Sequence, residues 1–286
     1  MANCKAHRST LWAFERYEMK LSVVITTRNE EANIANCIRA FDAVRDEVEI
    51  IVVDNSSTDA TKRIAAELGA KVLDKGPERS AQRNLGWRTA TADWVVVLDA
   101  DMILPGALIG EILECCRLQS NAVEACWIPE VRTGRGIRVK ARNFERSFYD
   151  GTCIDALRLF HKSVLEKTGG YDENLIAGPE DWELDIRVLA TGAKCEVLKN
   201  HLIHNEKQLT LKRMLEKKAY YTKSMATYQA KWKGHPALKK QFGLYYRFLG
   251  VFIEKGKWRK LICHPILALV MYFERFAVGL TYLVNR

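Results

Sequence analysis

The stretch WVVVLDADM, residues 94–102, decides the fold class of this 286-residue chain. It is a run of apolar, mostly β-branched residues that ends in two aspartates, Asp99 and Asp101. Two earlier stretches, LSVVIT at 21–26 and EIIVV at 49–53, have the same form and also end in polar residues. Runs of this kind are typical of buried parallel strands. The sequence therefore predicts three such strands, each with a polar carboxyl end.

Helical patterns lie between and after these strands. We predict helices over 31–41 and 58–68, the second capped by Ser56 or Ser57 and closed by Gly69. Strands that alternate with helices predict an α/β sheet with right-handed crossovers. Ligands of such sheets bind beyond the carboxyl ends of the strands, so the polar residues there form the candidate site.

Composition excludes a disordered chain and places the positive charge in the last third. The hydrophobic fraction is 48%, which is ample for a packed core. Residues 207–260 contain fifteen Lys and Arg against two acids, whereas the whole chain carries a net charge of +9. The eight cysteines have no zinc-site spacing, and residues 1–20 do not have a signal-peptide pattern. We therefore expect a cytoplasmic protein.

The two aspartates after the strand at 94–98 suit chemistry at a diphosphate. Carboxylates one residue apart can hold Mg²⁺ or Mn²⁺, which take their other oxygen ligands from water and phosphates. Such an ion stabilises the charge that develops on a departing diphosphate. A solvated acidic turn is the alternative, and an isolated pair would be weak evidence. The polar strand ends at 26–30 and 54–57 should meet the same crevice, which favours the metal site.

Six segments carry a resemblance to a known family: VVITTRNEEANI at 23–34, IIVVDNSSTDAT at 50–61, RSAQRNLG at 79–86, VVVLDADM at 95–102, GGYDENL at 169–175 and GPEDWELDIR at 178–187. In order and spacing they resemble family 2 of the glycosyltransferases over about residues 20–205. The resemblance implies the GT-A fold, a Rossmann-like mixed α/β sheet flanked by helices. It also implies inverting, Mg²⁺- or Mn²⁺-dependent transfer of a hexosyl group from a UDP- or GDP-sugar to an acceptor hydroxyl. We expect the acceptor to be a glycan or, if the protein is attached to a membrane, a lipid-linked molecule.

The resemblance further implies roles for single residues. In the family the second acid of the DxD motif, here Asp101, binds the metal, and the first, here Asp99, helps to hold the nucleotide sugar beside it. Arg28 stands where the family often has an aromatic residue. The residues implied in nucleotide-sugar binding are Thr27, Asn29, Glu30, Asp54 (at the base), Arg79, Arg83, Asn84 (near ribose and phosphates) and Asp99.

Glu180 and Asp181 match the acidic pair that faces the acceptor in this family. An inverting displacement needs one base on the face opposite the leaving group, and the resemblance implies Asp181 in that role. Glu180 would orient Asp181 or bind the acceptor. The alternative is an acidic first turn of a helix, which the helix dipole favours. His204, in HLIH at 201–204, is a further candidate near the metal or diphosphate, and His201 is a weaker one.

The Arg- and Gly-rich stretch at 131–151 has two interpretations. It is either a flexible acceptor loop followed by a helix, with Arg132, Arg135 and Arg138 on an anionic acceptor, or a solvated surface loop. The sequence does not choose between them.

The chain divides into an extension at 1–18 without an assigned function, a catalytic domain at 19–206 and a helical region at 207–286. The helical region begins with a basic amphipathic pattern from Thr210 and ends in an apolar run after Gly256. Pro265 and the Glu274-Arg275 pair interrupt this run, so neither half reaches the ~18 to 20 apolar residues that cross a bilayer.

We expect these helices to lie on the inner face of the cell membrane, because basic and apolar surfaces together bind anionic lipid. Packing on the catalytic domain, or a homo-oligomer through the same helices, is the alternative.

Other classes of protein also fit parts of the sequence. A nucleic-acid-binding protein would explain the basic block but not the strand-end clusters, so we do not expect nucleic acid as a partner. A sugar nucleotidyltransferase normally has a Gly-rich loop after the first strand, and TTRNEEAN at 26–33 contains no glycine. A retaining transferase of related fold is a third alternative.

Overall fold

The computed structural model describes residues 20–117, 123–175, 178–205 and 224–284, with side chains of the last helix as far as residue 276. Ten strands are present in these ranges: β1 (Leu21–Thr27), β2 (Val48–Asp54), β3 (Lys71–Asp74), β4 (Trp94–Asp99), β5 (Met102–Ile103), β6 (Ala125–Trp127), β7 (Glu130–Arg132), β8 (Leu157–His161), β9 (Cys195–Val197) and β10 (Leu202–His204). A seven-stranded sheet has the order β3-β2-β1-β4-β8-β6-β9, and a three-stranded sheet has the order β5-β10-β7.

The parallel strands of the large sheet end together. β1 pairs in parallel with both β2 and β4, so that Thr27 lies beside Asp54 and Thr26 beside Asp99. β8 then runs antiparallel to β4, which makes the sheet mixed. This arrangement confirms the predicted buried parallel strands. It also places their three polar carboxyl ends at one edge of the sheet, where the sequence predicts the site.

Helices cover both faces of the sheet and form most of the C-terminal region: α1 (Ile34–Arg39), α2 (Thr61–Glu67), α3 (Arg79–Thr89), α4 (Gly106–Arg117), α5 (Ile137–Arg146), α6 (Lys162–Thr168), α7 (Glu180–Ala190), α8 (Met225–Lys231), α9 (Pro236–Phe242), α10 (Trp258–Cys263) and α11 (Pro265–Val284). A 3₁₀ segment spans Asp42–Glu47, and a π-helical turn at Tyr246–Gly250 is followed by short turns at Val251–Ile253 and Glu254–Gly256. α1 and α4 pack on one face of the sheet, and α3, α6 and α7 pack on the other.

Helix α3 lies unusually close to β1. A Cβ atom added at Gly86 would stand 2.2 Å from Cγ1 of Val24, a distance that side chains do not tolerate. Only glycine allows this approach, and the approach brings the N-terminal part of α3, with Arg79 and Arg83, to the carboxyl ends of the strands.

The predicted caps at Ser56 and Ser57 are wrong. Asp54 accepts hydrogen bonds from the backbone N–H of Ser57 at 2.7 Å and from its hydroxyl at 2.5 Å. Ser56 has a φ of 53°, so the chain turns here and cannot begin a helix. α2 starts later, where Asp59 accepts from the N–H of Thr61 at 3.0 Å.

The first two helices are also shorter than predicted. α1 runs over Ile34–Arg39 and α2 over Thr61–Glu67. Gly69, with a φ of 75°, does follow the end of α2 as predicted.

The C-terminal region packs on α5. Phe144 of α5 and Phe148, which follows the end of α5, share an apolar core with Phe252 and with Met271 of α11. Pro265 separates α10 from α11, as predicted. The Glu274-Arg275 pair does not break α11, because Arg138 donates to Glu274 and Arg275 pairs with Glu145. Both charges are therefore satisfied against α5.

Two predicted segments, the extension at 1–18 and the basic amphipathic pattern over 210–223, lie outside the described residues. In the ranges that are described, no helix combines the length and the apolar character needed to cross a bilayer.

Candidate active site

Asp99, the last residue of β4, lies at the centre of a network of charges. Its carboxylate accepts from the Thr26 hydroxyl at 3.0 Å, and one nitrogen each of Arg79 and Arg83 stands 3.3 Å from it. Burial opposes ionisation here, but Arg79 and Arg83 outweigh it and hold the pKa of Asp99 well below its usual range. Asp99 is therefore a fixed anion.

Arg79 and Arg83 connect this strand end to helix α7. They are four residues apart on α3 and so share one helix face. Arg83 lies 2.7 Å from Asp181 and 3.6 Å from Glu180, and Arg79 lies 3.3 Å from Glu180. The side chain of Arg83 is only 1% exposed. Five residues that the sequence analysis named are thus brought into one cluster.

The two acids at the start of α7 differ in exposure. The side chain of Glu180 is 1% exposed, whereas that of Asp181 is 21% exposed. Burial and the adjacent Asp181 raise the pKa of Glu180, although Arg79 and Arg83 oppose the shift. Asp181 can therefore meet a bound acceptor, while Glu180 stays inside and holds the arginines.

Asp101 contacts a histidine from the small sheet. β10 pairs with β5, which directly follows Asp101 in the chain, and this pairing puts His204 Nε2 3.0 Å from Asp101 Oδ2. The other ring nitrogen of His204 bonds to Glu130 of β7. Burial would lower the pKa of His204, but Asp101 and Glu130 outweigh it and raise the pKa to about 9. His201 precedes β10 and is exposed, so it does not share this contact.

The donor groups fit a hard divalent cation only in part. No group of three or more His, Cys, Asp and Glu side chains in the described ranges is arranged to hold a metal ion. Asp101 and His204 can supply two metal-binding atoms. Asp99 does not supply a third, because its carboxylate is paired with Arg79 and Arg83. Carboxylate oxygen and imidazole nitrogen suit an ion such as Mn²⁺ that arrives with a diphosphate and takes its other ligands from it.

The residues predicted for the nucleotide line the loops after β1 and β2. The Thr27 hydroxyl is buried and has no hydrogen-bond partner among the described residues. Asn29 accepts from the Thr58 N–H at 2.8 Å, and the Glu30 N–H donates to the Thr61 hydroxyl at 2.8 Å. These bonds join the two loops into one wall. Whether Thr27, Asn29, Glu30 and Asp54 bind a nucleotide stays a prediction.

Asn84 has a structural set of contacts. Its amide group donates to the Tyr171 carbonyl at 2.8 Å and to Glu173 at 2.8 Å, and its oxygen accepts from the Tyr171 N–H at 2.8 Å. Trp87 also donates to that oxygen, at 3.0 Å. The side chain fastens α3 to the loop at 169–173, and no described contact supports its predicted place near ribose and phosphates.

The predicted acceptor stretch at 131–151 is largely ordered structure. It contains the end of β7 and the whole of α5. Arg132 lies in β7, Arg135 is exposed, and Arg138 is paired with Glu274 at 2.7 Å. Arg138 is therefore engaged by α11, and Arg28, after β1, is exposed.

Sequence reasoning missed a second line of charges beneath the site. Glu130, which holds His204, lies 2.7 Å from Arg146, and Arg146 lies 3.3 Å from Asp155. A single Glu after a proline gave no local signal. Arg158 was also missed, although a lone arginine inside the apolar stretch ALRLF at 156–160 was a visible anomaly.

Comparisons with known proteins identify the family and the fold. The family model of glycosyl transferase family 2 matches residues 22–169, which is just over half of the chain. The chain belongs to glycosyl transferase family 2. The matched region contains nearly all of β1, the strands β2 to β4, the Asp99–Asp101 segment, Arg79 and Arg83.

Individual relatives are similar over shorter stretches. An uncharacterised glycosyltransferase of Rickettsia typhi is 45% identical over 95 residues, 32% of each chain. The match therefore spans about a third of that relative's length.

Two solved structures share the GT-A fold. Glucosyl-3-phosphoglycerate synthase from Mycobacterium tuberculosis, with Mn²⁺ and UDP, has a TM-score of 0.56 at 20% identity, covering 79% of this chain and 86% of that one. Mannosyltransferase PcManGT from Pyrobaculum calidifontis, with GDP-Man and Mn²⁺, has a TM-score of 0.57 at 19% identity, covering 90% and 75%.

Proposed function

We propose that this family 2 enzyme is an inverting transferase that moves a hexosyl group from a nucleotide diphosphate to an acceptor hydroxyl. The observation that carries the proposal is that Arg83 contacts both Asp99, at the donor end, and Asp181, at the partly exposed start of α7. A donor and an acceptor bound at these two carboxylates would be neighbours. The similar structures hold UDP or GDP-Man, so a UDP- or GDP-sugar is the proposed donor.

The chain's own residues would divide the reaction between them. Asp181 would accept the proton of the acceptor hydroxyl as its oxygen attacks the sugar carbon. Arg79 and Arg83, whose charges Asp99 and Glu180 now balance, would stabilise the diphosphate as its bond to the sugar breaks. Glu180, buried beneath both arginines, would keep them in position.

Asp101 and His204 are the residues that would hold Mg²⁺ or Mn²⁺. When bound, such an ion neutralises charge on the leaving diphosphate. His204 is kept in place for this role by its contact with Glu130.

Calorimetric titration tests the donor site. The purified protein is titrated with UDP, GDP, CDP and dTDP, each with and without Mn²⁺. We expect one nucleotide to bind in a metal-dependent manner, and Asp101→Ala to abolish the metal effect. Binding of no nucleotide under any condition, or equal affinity in Asp101→Ala, contradicts the proposed site.

We further propose that the C-terminal helices attach the enzyme to the inner face of the cell membrane, near a lipid-linked or other membrane-proximal acceptor. An apolar stripe runs along α10 and α11 at a spacing of three or four residues, and each member is more than 60% exposed: Ile262, Ile266, Leu269, Phe273 and Phe276. The exposed Arg259 and Lys260 stand at its start. Apolar side chains beside cations complement an anionic lipid surface.

Sedimentation with vesicles tests this attachment. The wild-type protein should bind vesicles that contain an anionic phospholipid, and the double variant L269E/F273E should bind at least about tenfold more weakly, because two charges would enter the apolar layer. Val197→Glu, at an exposed apolar position on β9, is the control. The stripe would instead be a subunit interface if the wild type were a dimer and the double variant became monomeric while still binding the vesicles.

A further inference from the structure

Arg158 is a buried cation that no described residue neutralises by contact. It lies in the middle of β8 and is 7% exposed. Neither a hydrogen bond nor an ion pair joins its guanidinium to any residue in the described ranges. Arg83, which is similarly buried, is within 3.6 Å of three carboxylates. Buried arginines are normally paired, so the isolation of Arg158 needs an explanation.

The strand register places Arg158 at the active site. β8 pairs antiparallel with β4, with Phe160 opposite Val95 and Leu159 opposite Val96. Continuing this register sets Arg158 beside Val97. Side chains of a strand alternate between faces, so Val97 and Asp99 share one face, and Arg158 shares it with them. This is also the face covered by α3 and α7.

The sheet order places Arg158 between the two halves of the site. β8 lies between β4, which ends at Asp99, and β6, which is followed by β7 with Glu130. Arg158 is therefore on a strand between the one that carries the Asp99–Arg83–Asp181 cluster and the one that leads to the Glu130–His204 pair.

We propose that Arg158 binds a phosphate or carboxylate group of a substrate in this crevice. A guanidinium offers a planar pair of donors that matches either anion, and a site shielded from water strengthens the bond. Arg79 and Arg83 are already held by Asp99, Glu180 and Asp181, whereas Arg158 has its donors available. The anion belongs either to the donor diphosphate or to an acidic acceptor. This inference deepens the proposed function and rests on it.

Two titrations separate these sources. In the first, the nucleoside diphosphate found by calorimetry is titrated into the protein with Mn²⁺. In the second, inorganic phosphate is titrated into the protein alone and into the protein saturated with that nucleotide and Mn²⁺. The variants are Arg158→Gln, which removes the charge, and Arg158→Lys, which keeps the charge but lacks the planar pair of guanidinium donors. Arg88→Gln, at a side chain that is 52% exposed on the outer end of α3, is the control.

We expect Arg158→Gln to weaken binding at least about tenfold in one titration, with a smaller loss in Arg158→Lys and none in Arg88→Gln. A loss in the nucleotide titration identifies the donor diphosphate as the ligand. A loss confined to phosphate on the saturated protein identifies an acidic acceptor.

Two results would overturn the inference. In one, both Arg158 variants unfold at a lower temperature yet bind nucleotide and phosphate as the wild type does, so that Arg158 only balances Asp99 and Glu130. In the other, the wild type binds no phosphate in any titration, and Arg158→Gln binds the nucleotide as tightly as the wild type does. If the wild type binds no nucleotide, the proposed function fails. The role of Arg158 is then still tested by comparing the phosphate affinity of the wild type with that of Arg158→Gln, each without nucleotide.

Discussion

Asp99 and Asp181 are bound by two different nitrogens of one buried guanidinium, that of Arg83, at 3.3 Å and 2.7 Å. The two acids are far apart in the chain, and β4 and α7 bring them to the same side chain. Arg83 cannot turn toward solvent, because it is also stacked on the ring of Tyr171 at 5.1 Å. The separation of Asp99 from Asp181 is therefore fixed by the core and not by a surface loop.

Replacing Asp181 by Asn should separate donor binding from transfer. The amide oxygen can still accept from Arg83, so the dissociation constant of the nucleotide should stay within about twofold, but the amide cannot take a proton. We expect turnover to fall by about 10²- to 10⁴-fold. The transfer rate and the nucleotide affinity are both measured for each variant. Glu67→Gln, at an exposed position, is the control. Full turnover in Asp181→Asn would exclude Asp181 as the base.

Replacing Glu130 by Gln should weaken metal binding. The variant removes the carboxylate that holds His204 and balances Arg146. Loss of a group that orients a metal ligand typically costs ~10- to 100-fold in affinity. Electron paramagnetic resonance of Mn²⁺, recorded with the nucleoside diphosphate present, measures this loss without any turnover. Glu196→Gln, an exposed position on β9, should leave the affinity unchanged. Equal Mn²⁺ affinity in Glu130→Gln and the wild type would mean that Glu130 does not position His204.

Two glycine substitutions should have opposite effects on stability. Gly86→Ala would force a methyl group to 2.2 Å from Val24, and such overpacking costs ~1 to 3 kcal/mol. Gly110 lies in α4, and an added Cβ there meets no atom within 4 Å. Gly110→Ala should therefore raise the free energy of unfolding by ~0.5 to 1 kcal/mol, the difference in helix propensity.

Urea denaturation measures both effects. Gly86→Ala should lower the free energy of unfolding less in the Val24→Ala background than in the wild type, because Val24→Ala removes the atom that the new methyl group would meet. A Gly86→Ala protein as stable as the wild type would contradict the close approach of α3 to β1.

Asp185 should make stability depend on pH. Burial raises its pKa well above the usual value, and the hydrogen bonds that it accepts from the Leu157 N–H and Trp127 only partly oppose this. Since the folded protein holds this proton more tightly than the unfolded chain, the stabilising contribution is full below about pH 4 and is lost as pH rises toward the folded pKa. Asn keeps an acceptor oxygen without the charge.

The melting temperature of Asp185→Asn minus that of the wild type should therefore be near zero at pH 4.5. At pH 8 this difference should be positive by several degrees. Asp42→Asn, at an exposed position, is the control and should show no such trend. A constant difference across this range would mean that Asp185 titrates normally in the folded protein.

Local sequence patterns were sufficient to predict much of the large sheet. The apolar runs gave β1, β2 and β4, and their polar ends gave the position of the site, because a parallel sheet aligns those ends. The caps at Ser56 and Ser57 were wrong because Asp54, which the pattern treated only as a strand end, takes the hydrogen bonds that a cap would make. Competition between nearby polar groups is settled by geometry that residue type does not specify.

The sequence by itself determined which carboxylates and arginines the site contains, since Asp99, Asp101, Arg79, Arg83, Glu180 and Asp181 stand in segments with recognisable spacing. Only the tertiary structure decided how they pair, and it added Glu130 and Arg158. A single charged residue has no period and no spacing, so its role depends on which strands become neighbours. His204 of β10 reaches Asp101 because β10 pairs with β5, and Arg158 of β8 comes to the same face as Asp99 because β8 pairs with β4. These pairings form only when distant parts of the chain bury their apolar faces together.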